Sequence, residues 1–179
     1  MLSLSLGRWV LAGAVSATLA LTAAGPAGPA VGSYEASLTG AATSTLRGDA
    51  EFGPAPGAAS GGPLVITLGA YSTDGAMVLT RWNGARPAPG RYTITEEPTR
   101  DGIQALIVTG SPDHPTGVFR AEEGTLTITS SARGGLAGRF ELRARGFAAG
   151  DLEGEDRELA VSGSFAASSA APSAALSWH

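Results

Sequence analysis

The stretch TLTITSSARGGLAGRFELRA, residues 125–144, decides the fold class. Its second half places Leu136, Gly138, Phe140, Leu142 and Ala144 at every other position, with Ala137, Arg139, Glu141 and Arg143 between them. Side chains alternate faces along a strand, so this period of two describes one buried and one wetted face. The first half repeats the pattern with Leu126 and Ile128 inward. The intervening SSARGG contains the glycines of a tight turn, which predicts an antiparallel hairpin.

Working outward, the same alternation predicts strands at 34–38, 46–52, 64–68, 77–82, 91–95, 105–108, 118–121 and 159–165. Turn-forming clusters separate them: STDG, WNGARPAPG, TRDG and SPDHPTG. Residues 53–63, GPAPGAASGGP, read as an aperiodic loop. Apart from the N-terminal apolar run, no window carries apolar residues at helical spacing. Many short strands joined by turns predict an all-β fold, an antiparallel β-sandwich, with a small closed β-barrel as the alternative. The triplet Gly-x-Phe recurs at 117–119, 138–140 and 163–165. A glycine two positions before an inward phenylalanine leaves room on that face for a ring or a close backbone.

The N-terminus reads differently. Arg8 precedes an apolar and small-residue run, followed by GPAGPAVGS, the layout of a secretory signal. The run is short of the ~20 residues that cross a bilayer as a helix. The expectation is a signal peptide over 1–30, one all-β domain over 31–168 and a disordered tail over 169–179, in an exported product, periplasmic or extracellular.

Composition narrows the chemistry. There is no cysteine, so disulfides, thiolate catalysis and cysteine zinc sites are excluded. All twelve basic residues are arginine, against sixteen acids, for a formal charge of −4. The lack of lysine excludes Schiff-base chemistry, and with the alanine and glycine excess it points to a GC-rich bacterial source. An acidic exported chain is a poor fit to nucleic acid, which demands clustered positive charge. Short strands without aromatic girdles argue against stable membrane insertion after signal cleavage.

The run GTLTITSSARGGLAGRFELRA followed by LAVSGSFAA, with PGRYTI upstream, resembles small exported bacterial β-domains of no assigned function. It spans residues 89–167. The resemblance implies an all-β fold and no activity.

Candidate functional residues are few. Asp113 and His114 could form a ligand or base pair, but they sit between Pro112 and Pro115, and proline restricts the residue before it to extended geometry. A stiff turn is the better reading. The doublets Glu96–Glu97 and Glu122–Glu123 invite a glycosidase reading, yet strand neighbours point to opposite faces, so neither forms a pair by itself; solvated strand ends or turns are the better reading. Arg139 and Arg143, with Arg145, share one face and could grip an anion, or pair across strands with Arg47, Asp49 and Glu51. Trp82 and Tyr92 flank NGARPAPG and would either stack on a ligand or cap the core. The tripeptide Arg47-Gly48-Asp49 lies inside a strand pattern rather than at a loop tip. The sequence names no catalytic residue, metal ligand or cofactor. It favours a non-enzymatic exported binding or structural protein of the bacterial envelope or exterior, its partner a protein, a glycan or a small anion. The alternative is a secreted hydrolase with a cross-strand carboxylate pair, Asp113 among the candidates.

Overall fold

A computed structural model describes residues 32–58, 61–69, 72, 74–111, 114–149 and 156–170. The expected signal peptide, Asp113 and most of the expected tail lie outside the described residues. Nine strands follow in chain order: β1 (Ser33–Gly40), β2 (Ser44–Pro54), β3 (Leu64–Leu68), β4 (Gly75–Arg81), β5 (Gly90–Thr95), β6 (Gln104–Ser111), β7 (His114–Ala132), β8 (Gly135–Ala148) and β9 (Arg157–Ser169).

The fold is all-β and the architecture is the closed barrel rather than the two-sheet sandwich. Eight strands close the wall in the order β8–β7–β6–β4–β3–β2–β1–β9 and back to β8, every neighbouring pair antiparallel. The ninth, β5, lies against the second half of β7, on the edge that β6 occupies along the first half. Alternation alone serves a sandwich and a barrel equally, since each has one buried face. Closure is decided by β8, which pairs with β7 along one edge and β9 along the other and so leaves no free edge.

The expected strands 118–121 and 125–129 are one strand. β7 passes through Glu122 and Glu123 without breaking, because the ladder shifts register between Ala121 and Glu123. Such a bulge bends and twists a strand while keeping it paired, which suits a long strand wrapping a barrel.

The inward faces carry the apolar residues the alternation predicted, among them Leu38, Ile66, Met77, Ile107, Leu126 and Phe140, each at most 1–2 % exposed. Thr109 is the one buried polar residue among those described, and its hydroxyl is bonded by Thr116 Oγ1 at 3.0 Å. The Gly-x-Phe triplets interlock across β8 and β9: Gly138 stands opposite Phe165, and Phe140 opposite Gly163. Each ring lies over the other strand's glycine, and the two rings stack at 6.5 Å. In the third triplet the Phe119 ring lies over Gly117 of its own strand.

The segment 82–89 is tied to the β7–β8 turn through Arg86. Arg86 reaches across to the β7–β8 turn, where Nε donates to Ser131 Oγ at 2.9 Å, Nη1 to Arg133 O at 3.1 Å and Nη2 to the carbonyls of Ala132 and Gly135. Its guanidinium also covers the Phe52 ring at 4.6 Å. Arg81 does the same over Tyr92 at 5.1 Å.

Candidate functional site

With the interior filled, the surface available to a partner is the outside of the wall. A broad depression there, about 830 Å³, spans β5, β7, β8, β9 and β1. The ladder aligns outward side chains in rows. One row runs Thr93, Thr125, Glu141, Ser162, Ser37, each the direct partner of the next. The next runs Thr95, Glu123, Arg143, Ala160, Thr39. Strands lie roughly 4.7–4.9 Å apart, so the first row presents hydroxyls flanking one carboxylate at that regular spacing.

The carboxylates are solvated, as expected, though Glu122 and Glu123 lie within a continuous strand rather than at a strand end or turn. Glu122 and Glu123 both face solvent, because the bulge inserts an extra residue and interrupts the alternation. Glu122 pairs with Arg145 at 3.2 Å and Glu123 with Arg143 at 3.6 Å. Glu123 is opposite Arg143 and Glu141 is opposite Thr125, so the two glutamates are diagonal neighbours across β7 and β8. Such diagonals are roughly 7–8 Å apart at the backbone, and an inverting pair holds its carboxyl groups roughly 6.5–9.5 Å apart. Glu96 and Glu97 lie exposed beyond the end of β5.

The arginine face is split by this pairing. Arg143 is taken by Glu123, and Arg145 by Glu122 and by Glu158 at 3.6 Å. The expected partners on β2 are out of reach, since β9 and β1 stand between β8 and β2. Arg47 instead binds Glu35 at 2.6 Å, a hydrogen bond that raises the guanidinium pKa further. Arg139 makes no ion pair or hydrogen bond among the described residues. In its row, Thr127 separates it from Arg91 of β5, which is equally without a partner. Arg91, Thr127 and Arg139 line a second depression of about 490 Å³ beside the first.

The remaining expected residues do not converge. His114 is exposed at the first position of β7, and its N–H donates to Ser111 Oγ at 3.1 Å, closing the β6–β7 turn. Gly110, at φ +79°, takes the left-handed backbone this connection requires. Among the described residues no three histidine or carboxylate side chains gather as a metal site. Trp82 and Tyr92 are not a stacking pair. Tyr92 packs against the core under Arg81 and donates to Ala88 O at 2.9 Å, whereas Trp82 is 48 % exposed with its indole N–H on Gln104 Oε1.

No family model matches the chain, and no curated protein or solved structure matches it. Sequence reasoning missed Arg91, Thr127 and the hydroxyl row. Each was legible as an outward position, but their lateral neighbours were not.

Proposed function

We propose that the chain is an exported, non-enzymatic binding or structural protein of the bacterial envelope or exterior, and that its contact surface is the outer wall of β5, β7, β8, β9 and β1. One observation carries this reading: apolar side chains line the inside of the barrel, and a broad depression with polar side chains lies on this outer wall. Short hydroxyl side chains at strand spacing suit a partner with repeated polar groups, such as a glycan. Outward charge at Glu35, Arg47, Arg139, Glu141 and Arg143 supports a wall facing water, since a membrane-spanning barrel carries an apolar outer band. The strands themselves are not short, contrary to expectation: β7 to β9 run to 19, 14 and 13 residues.

The test is thermal stability of the purified protein against oligosaccharides, small anions and divalent metals. A ligand at a hundred times its Kd adds about 2.7 kcal/mol. Stabilisation lost when Thr125 and Ser162 are replaced by valine supports the wall as the contact surface. Stabilisation that ignores both changes refutes it. Cell fractionation with N-terminal sequencing tests export and removal of residues 1–30.

The diagonal Glu123 and Glu141 favour a second reading, a hydrolase of the inverting kind. Against it, both carboxylates face solvent and Glu123 is already paired with Arg143. Turnover of a polysaccharide abolished by Glu141→Gln would establish it.

A further inference from the structure

We propose that Arg91, Thr127 and Arg139 form a binding site for a tetrahedral oxyanion, sulfate or phosphate, either free or as an ester on a polysaccharide. The proposal rests on the binding reading above and names the ligand chemistry.

The register supplies the geometry. Arg91 is the direct partner of Thr127, and Thr127 of Arg139, so the two arginines project outward on either side of one threonine. Two strand spacings put their backbones roughly 9–10 Å apart. Ser164 of β9 follows Arg139 in the same row. An oxyanion seated over Thr127 would meet a planar fork from each side and a hydroxyl from below. Guanidinium forks match the paired oxygens of such anions, and several donors can share one ion.

Charge supports the placement. Arg47, Arg143 and Arg145 all have glutamate partners, whereas neither Arg91 nor Arg139 has any partner among the described residues. Two like charges flanking one threonine repel across the intervening strand, and an anion seated between them offsets that repulsion. The acid that follows Ser164 in the row, Glu35, is occupied by Arg47. Glu141 lines the same depression and opposes an anion, which gives the site a built-in check.

The experiment is an NMR titration of the full chain, following the arginine Nε–Hε and Thr127 amide signals. Sodium sulfate and sodium phosphate are compared with sodium chloride at matched ionic strength. The expected result is a saturable shift confined to Arg91, Arg139 and Thr127 with the oxyanions and absent with chloride. Arg91→Gln and Arg139→Gln should each weaken binding about three- to tenfold, and Glu141→Gln should tighten it about two- to threefold. Arg133→Gln, in the β7–β8 turn, should leave it unchanged. Shifts that track ionic strength with every salt overturn the proposal, as does saturation indifferent to both arginine changes. Dextran sulfate against dextran separates the sources: much tighter binding of the ester form indicates a polymer ligand, and equal affinity per sulfate indicates the free ion. If both anions fail while an oligosaccharide still raises the melting temperature, this assignment falls and the binding reading stands.

Discussion

Replacing Gly163 by alanine tests the interlocked core directly. A Cβ there would press on the Glu35 carbonyl oxygen and stand 2.7 Å from Phe140 Cζ and 2.9 Å from Ala36 Cα. Carbon atoms in good contact are roughly 3.5–4.0 Å apart. Two of the three neighbours are backbone of β1, which is held to β9 by pairing from Ser33↔Ala166 to Gly40↔Leu159, so rotamer changes cannot relieve them. The remaining route is to push the strands apart, and overpacking of this kind costs about 1–3 kcal/mol. Gly135→Ala is the control. Its Cβ would meet only Ala167 O, at 3.8 Å, and replacing a strand glycine there should be neutral or stabilise by up to about 1 kcal/mol. Urea unfolding followed by far-UV circular dichroism reads both, and the Gly163 variant should melt roughly 4–12 °C lower. Adding Phe140→Leu to Gly163→Ala should recover part of the loss, because the ring contact is relieved while the β1 backbone contact remains. The reasoning fails if Gly163→Ala costs less than about 0.5 kcal/mol, a change ordinary for an uncrowded surface position. It also fails if Gly135→Ala costs as much.

Three further outcomes follow from the geometry. Arg86→Ala should cost about 1–3 kcal/mol by freeing four acceptors at the β7–β8 turn and uncovering Phe52, and Arg86→Lys should not restore it, since a single ammonium cannot replace the fork; amide exchange in residues 130–136 reads the loosened turn. Tyr34 is 5 % exposed, and burial first, then the charges of Asp49 and Asp74, push its hydroxyl up to about 12. An unfolded tyrosine ionises near about 10, so this stabilisation is complete below that pH and declines by roughly 2–3 kcal/mol as pH rises to about 12; Tyr34→Phe should flatten that decline, and ultraviolet titration showing every tyrosine ionising near 10 would contradict it. His114→Ala should leave stability within about 0.5 kcal/mol, whereas Ser111→Ala should cost about 0.5–1 kcal/mol by removing the acceptor of the His114 N–H, both read from urea midpoints.

Much of the fold was legible because period-two alternation is a property of each strand alone. The inward set from Leu126 through Ala144 follows from it, as does the hairpin at SSARGG, observed as β7 and β8. The Gly-x-Phe triplets announced space for a ring, although not that in two of the three the ring would come from the neighbouring strand. The candidate site was less legible. Arg139 was visible as an outward cation, but its neighbour is Arg91 and not a residue of β2. Glu122 and Glu123 were legible as solvated, but as a break between two strands, and a bulge instead carries one strand through them. Arg86 lay inside a turn-like stretch that gave no sign of its reach to Ser131 and Gly135, 45 and 49 residues away.

The sequence by itself determined that this chain is all-β, which side chains of each strand face the core, and where most of the turns fall. Those features depend on residues a few positions apart, within reach of the local pattern. Only the tertiary structure decided that the sheet closes into a barrel, which strands lie side by side, and therefore which arginines find a carboxylate and which do not. Pairing across a wall joins residues far apart in the chain, and the same alternation is compatible with many lateral orders. Closure selects one of them by leaving no edge unpaired, and the outward rows are set by that selection.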